Sequence, residues 1–162
     1  MATHVLPSHL QHFEARELSR SWPWMRYFVP VGRVFLALIF IVSGLENFSS
    51  GTIRYAASQG VPLASVLVPL AGVLALIGGL SVAVGFWTRI GALLLVVFLV
   101  PVTLTMHAFW GVADPMMHQM QQINFLKNLS MLGAALLVAY FGAGPISVDA
   151  RTERPGERAA TP

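Results

Sequence analysis

The chain has 162 residues, 56% of them hydrophobic and 10% charged, with a net charge of +3 and no cysteine. A soluble domain carries about 25% charged residues, so most of this surface is expected to face lipid, and the length suits about four helical spans with short loops. Without cysteine, the chain has no disulfide, thiol relay, iron–sulfur ligation or c-type haem attachment of its own, and a four-helix quinone reductase built on a cysteine pair is disfavoured.

In chain order, residues 1–30 read as a cytoplasmic, interfacial N-terminal segment. Glu14 and Glu17 interrupt it, and it lacks the continuous apolar core of a signal peptide. Ser8 and Gln11 have capping-box spacing for a short helix with Leu10, Phe13 and Leu18 on a modest apolar face. Trp22, Trp24, Tyr27 and Phe28 follow as an aromatic cluster suited to the headgroup zone. A partly disordered tail is the alternative for this stretch.

Apolar runs then extend from Val31 to Phe48, Pro62 to Trp87, Ile90 to Trp110 and Ile123 to Phe141. A helix needs about 20 mainly apolar residues to cross the hydrocarbon core. The first and fourth runs reach that length only with flanking residues. The runs are too long for barrel strands and do not alternate strictly. The expected fold is all-α: an integral membrane four-helix bundle over residues 31–149, a short N-terminal interfacial helix, and a flexible cytoplasmic tail over residues 150–162.

Arg16, Arg20, Arg26, Arg33, Arg89, Arg151, Arg154 and Arg158 all fall on one side of such a bundle, against Arg54 in the loops of the other. The positive-inside rule then puts both termini in the cytoplasm of a bacterial inner membrane. Scattered at helix ends, these arginines form no basic patch for nucleic acid. Pro69 and Pro101 are expected to bend the second and third spans. Ala75, Gly79, Ser81 and Gly85, with Gly72 and Gly78 nearby, allow close helix packing, within one bundle or in a homo-oligomer.

The polar residues in or beside the spans are Glu46, Asn47, His107, Asn124, Lys127 and Asn128. A charge at the bilayer centre costs about 2.5–3.5 kcal/mol on insertion scales, so partners are expected. Glu46 lies about 20 Å along its helix from Arg33, and Lys127 about 9 Å inside the opposite edge, which puts both in the outer leaflet. Asn124, Lys127, Asn128 and Met131 share one helix face. Three arrangements fit: a periplasm-side ligand pocket, a structural clasp between Glu46 and Lys127, or independent snorkelling of the charges. In the pocket, Lys, His and Asn would hold a quinone headgroup, with His107 at the mouth to pass protons.

A second group, Met106, His107, Met116, Met117, His118 and Met120, joined by Asp114, has the thioether and imidazole chemistry of a Cu(I) site. Met as a gap-filler and Asp114-Pro115 as a turn are the plainer readings. Haem would need two axial histidines from inside the membrane, and only His107 is near enough.

Several segments together carry a family likeness. They are Gly32-Arg33, Phe40 and Ser43-Gly44-Leu45-Glu46-Asn47-Phe48 in span one, and Gly78-Gly79-Leu80, Gly85 and Thr88-Arg89 around the end of span two. Met106-His107-Ala108-Phe109-Trp110 ends span three, and Asn124-Phe125-Leu126-Lys127-Asn128-Leu129 opens span four. Gly142-Ala143-Gly144-Pro145-Ile146-Ser147-Val148-Asp149 leaves the membrane. In this order, from about Gly32 to Asp149, the chain resembles the DoxX family of small four-helix bacterial membrane proteins.

The resemblance implies a subunit associated with thiosulfate:quinone oxidoreduction, quinol oxidase assemblies, or responses to quinone and thiol stress. Asn47 stands where the family often has lysine, and Ala75 where it often has glutamate, so a mechanism needing either charge does not transfer. The expected function is that of an accessory subunit of a quinone-linked redox or oxidative-stress system. It would have no covalent cofactor of its own and would work with a membrane or soluble redox partner. A non-catalytic scaffold or assembly factor, and a small-molecule or copper carrier, are the alternatives.

Overall fold

The computed structural model describes residues 23–152, and within them it is helical throughout, without strands. A 3-10 turn over Pro23–Tyr27 runs into α1 (Phe28–Glu46). Then come α2 (Ser50–Ser58), α3 (Ala64–Val84), α4 (Thr88–Met106), α5 (Pro115–Phe141) and the short α6 (Val148–Thr152). Four segments are long and apolar enough to cross a membrane: Pro23–Glu46, Ala64–Val84, Thr88–Met106 and Pro115–Phe141. The proposed interfacial helix before Trp22, and the tail beyond Thr152, lie outside the described residues.

Both runs that looked short are lengthened by residues that apolarity alone passes over. The helix of span one already starts at Phe28, so Arg33 lies inside it rather than ahead of it. Span four starts at Pro115 instead of near Ile123. Asp114 Oδ1 accepts from the Met117 amide at 2.8 Å, and Pro115 takes the first helical position, where its missing N–H costs nothing. Asp114-Pro115 is therefore a helix start, and the Met/His group sits largely on a helix rather than in a loop. Helix α2 was not anticipated. Its signal is Ser49, whose Oγ accepts from the Thr52 amide at 3.1 Å as an N-cap.

Helix α3 packs between α1 and α4, and α5 packs on α4, whereas α1 and α5 make little backbone contact with each other. The core is Phe40, Ala75, Val82, Ala92, Leu95, Phe98, Leu99 and Ala135. Large apolar side chains such as Phe35, Ile77, Val97 and Leu136 are exposed along the helices. Exposed apolar surface on this scale marks a lipid-facing exterior. Helix α2 docks through Ala56 onto Ala64 and Val68, beside Ile53, Val61 and Met106. Arg33, Arg89 and Arg151 gather at one end of the bundle, called here the arginine-rich end.

In lipid the attraction between helices is largely van der Waals, so small residues at the contacts matter. A Cβ built on Gly72 would come 2.8 Å from the Gly44 carbonyl oxygen and 2.9 Å from Asn47 Cβ. One on Gly78 would come 2.8 Å from the Gly91 carbonyl oxygen. These pairs set how closely α3 approaches α1 and α4. Gly133 on α5 has nothing within 4 Å. Gly72→Ala should therefore cost about 1–3 kcal/mol as α1 is forced away, while Gly133→Ala should be neutral or gain up to about 1 kcal/mol from helix propensity. Thermal unfolding in nanodiscs reads both; equal midpoints for the two variants would contradict the α1–α3 contact.

Candidate functional site

Because α1 and α5 do not close on each other, a cleft of about 110 Å³ lies between them over α4. Its apolar floor includes Phe40, Phe98 and Leu99, and its polar groups are Ser43 on α1, His107 just past α4, and Lys127 and Asn128 on α5. Asn128 is only 5% exposed, yet its amide has no hydrogen-bond partner among the described residues. Its polar atoms are not sealed in the bundle but open onto the cleft. Ser43 Oγ is likewise without a partner among the described residues.

His107 is held from behind. Its Nδ1 lies 2.9 Å from Gln121 Oε1, and Gln121 Nε2 donates to the Tyr55 hydroxyl at 3.4 Å. This contact engages Nδ1 and leaves Nε2 as the ring nitrogen without a hydrogen bond among the described residues. Gln121 and Tyr55 were missed at the sequence level, because neither stands out by charge or spacing.

The six candidate polar residues divide. His107, Lys127 and Asn128 line the cleft. Asn124 stands beside it and accepts from Lys127 Nζ at 3.1 Å. Asn47 turns to α3, with its Cβ against Gly72. Glu46 is exposed at the end of α1, one turn beyond Ser43, and no ion pair joins it to Lys127 among the described residues. The Met/His group is spread over the end of α4, the turn after it and the first turns of α5. Met116, Met117 and Met120 are exposed on the first turns of α5, while the His118 ring packs edge-on against Phe109 at 5.5 Å. The described residues contain no group of three or more His, Asp or Glu fit to hold a metal.

A second polar assembly, at the arginine-rich end, was not foreseen. Arg33 is 4% exposed; its Nη1 donates to the Ala143 carbonyl and its Nη2 to that of Ile146 at 2.9 Å, while Nε has no partner. The acceptors belong to the segment that turns back after α5, where Ile146 takes the left-handed conformation (φ 58°). That turn delivers Asp149 to the start of α4. Asp149 Oδ1 accepts from the Trp87 amide at 2.8 Å, and Oδ2 from the Thr88 amide at 3.0 Å and the Thr88 hydroxyl at 2.8 Å. Gly85 (φ 76°) leaves the room: a Cβ there would lie 2.7 Å from Arg33 Nη1.

Burial by itself raises the Asp149 pKa, but the hydrogen bonds from Thr88 and Trp87 and the nearby Arg33 charge outweigh it and hold the carboxyl below its ordinary value. The sequence signal was available in pieces. Gly32-Arg33, Gly85, Thr88-Arg89 and Gly142 through Asp149 are the segments that carried the family likeness at this end, and they meet in one latch.

A four-span membrane protein, latched at one end and cleft at the other, is the class that fold and site define. Residues 28–108 match the DoxX family. Over 123 residues, 75% of this chain, it is 32% identical to the inner membrane protein YphA of Escherichia coli K12, covering 87% of that protein. It is 31% identical to the inner membrane protein YqjF of the same organism, over 75% of this chain and 88% of that one. The chain belongs to the DoxX family and is an integral inner-membrane protein. No solved structure matches it.

The latch has a pH signature. A carboxyl whose pKa is lowered on folding stabilises fully above its unfolded value, ordinarily 3.8, and that contribution is lost as pH falls through the lower folded value. Acidification below about pH 4 should thus lower the melting temperature of the wild type. Asp149→Asn should lower stability by about 0.5–2 kcal/mol at neutral pH, as for a lost N-cap, and remove part of the acid dependence. A variant with the same acid slope as the wild type would show that Asp149 is not the titrating group.

Proposed function

We propose that the α1–α5 cleft holds the polar head of a lipid-soluble carbonyl or hydroxyl compound of the quinone/quinol class. The protein would then serve as an accessory subunit of a quinone-linked redox or oxidative-stress system. The observation that carries this reading is Asn128: a residue 5% exposed whose amide lines a cleft with His107 and Lys127 and has no hydrogen-bond partner among the described residues. An amide and an ammonium donate to a carbonyl oxygen. His107 Nε2 donates to a carbonyl or accepts from a hydroxyl according to its tautomer, so both oxidation states of such a headgroup find partners.

Size supports the same class. At about 110 Å³ the cleft is far smaller than the 300–1,000 Å³ that encloses a drug-sized ligand. It suits one end of a molecule whose remainder lies in the bilayer between α1 and α5. The chain's own residues bind and orient the headgroup, and His107 is placed to exchange a proton with a ligand hydroxyl. A membrane or soluble partner would supply the electron-transfer centre. The gathering of Arg33, Arg89 and Arg151 at the end opposite Lys127 supports a cytoplasmic location for both termini and an outer-leaflet location for the cleft. Lys127 bonding within its own helix, to Asn124, favours a pocket over a clasp to Glu46.

Asn128→Leu separates binding from structure. If the amide serves only a ligand, its replacement should leave stability about equal, since no side-chain hydrogen bond among the described residues is lost. The same change should abolish co-purification of the ligand. The measurement is mass spectrometry of the organic extract of nanodisc-purified protein, beside its thermal midpoint. A wild-type extract without a stoichiometric quinone-class compound, or one that Asn128→Leu leaves unchanged, would overturn the assignment.

A further inference from the structure

Beside the latch, at the arginine-rich end, a pocket of about 630 Å³ opens, walled by Trp87, Arg89, Ile90, Phe141, Gly142 and Thr152 among others. This volume is in the range of ligand sites. Most polar groups of its wall are already engaged. Both Asp149 oxygens accept from Trp87 and Thr88, Thr152 Oγ1 donates to the Val148 and Asp149 carbonyls, and Ser147 Oγ donates to that of Gly144.

Arg89 is the exception. Its guanidinium makes no hydrogen bond or ion pair among the described residues. It lies across Gly142, where an added Cβ would come 3.2 Å from Arg89 Nε and 3.8 Å from Nη2. With Asp149 hydrogen-bonded and facing the buried Arg33 charge, the pocket is left with the positive charge of Arg89. Exposed apolar side chains stand beside it. Trp87 is 65% exposed and Phe141 71%, and Ile90 is exposed beside them.

A free anion would satisfy the guanidinium and leave those aromatic walls uncovered, whereas a phospholipid covers both. We propose that this pocket binds an anionic phospholipid, with Arg89 on the phosphate oxygens and Trp87, Ile90 and Phe141 against the glycerol and upper acyl chain. Guanidinium matches phosphate geometry, indole rings favour the headgroup level, and basic pockets between spans hold anionic headgroups. This inference uses none of the cleft residues and stands apart from the quinone reading.

The test uses the full-length protein in nanodiscs containing brominated phosphatidylglycerol or brominated phosphatidylcholine. The quenching at Trp87 is taken as the difference between wild type and Trp87→Phe. Wild type should prefer phosphatidylglycerol by about fivefold, the factor for about 1 kcal/mol per basic residue near a membrane surface. Arg89→Gln should lose the preference, and Arg89→Lys should keep part of it. Equal quenching by the two lipids in wild type would overturn the proposal without recourse to any Arg89 variant, and so would a preference that survives in Arg89→Gln. Displacement of phosphatidylglycerol by millimolar inorganic phosphate would assign the site to the free anion and overturn the lipid assignment.

Discussion

Everything at the closed end of this bundle follows from one buried guanidinium. Arg33 lies inside the first span, where an unpaired charge is untenable. The Asp149 carboxylate acts on it from nearby, but no side chain among the described residues takes its protons. Instead, the carbonyls of Ala143 and Ile146 take its protons, and they are free to do so because the chain turns sharply after α5. The same turn sends Asp149 onto the first amides of α4, and the Asp149 amide onto the Gly85 carbonyl at 2.8 Å. One cation thus joins the start of α1, the α3–α4 turn and the exit of α5. The left-handed backbone at Ile146 and Trp87, costly by about 1–3 kcal/mol each, persists because these bonds hold both sides of it.

At the other end no comparable tie among the described residues joins α1 to α5, and that difference shapes the cleft. Helices α3 and α4 pack through glycine contacts and act as the fixed pair. Helices α1 and α5 each lean on one of them and leave a seam between. Polar residues along the seam are not spent on holding it shut. Lys127 bonds within its own helix, and Asn128 bonds to nothing among the described residues. The His107–Gln121–Tyr55 chain braces the mouth from outside, through α2.

The sequence made the helices legible because their signal is composition over long windows, which tolerates error at the ends. It blurred the ends where capping chemistry, not apolarity, decides them: Asp114-Pro115 and Ser49 start helices that hydropathy overlooks. Candidate residues were chosen for being polar inside apolar runs. That rule finds His107, Lys127 and Asn128, which line one cleft. It also collects Glu46 and Asn47, which point elsewhere, because a period of 3.6 residues carries no information on which neighbour a face meets. It misses Arg33, which looks like a topological charge because it lies near the end of its span with seven other arginines on the same side. It misses Asp149 too, whose partners Trp87 and Thr88 are some sixty residues away.

The latch also has a place in time. Arg33 and its acceptor Ala143 are separated by 110 residues. At bacterial synthesis rates of about 5–20 residues per second, that is a delay of roughly 5–20 s. Through that interval the first helix carries a cation for which no acceptor has yet been made, and headgroups and water are the only place for it. The carbonyls that receive the Arg33 protons are thus among the last groups of the bundle to be synthesised, and the closed end is completed only with them.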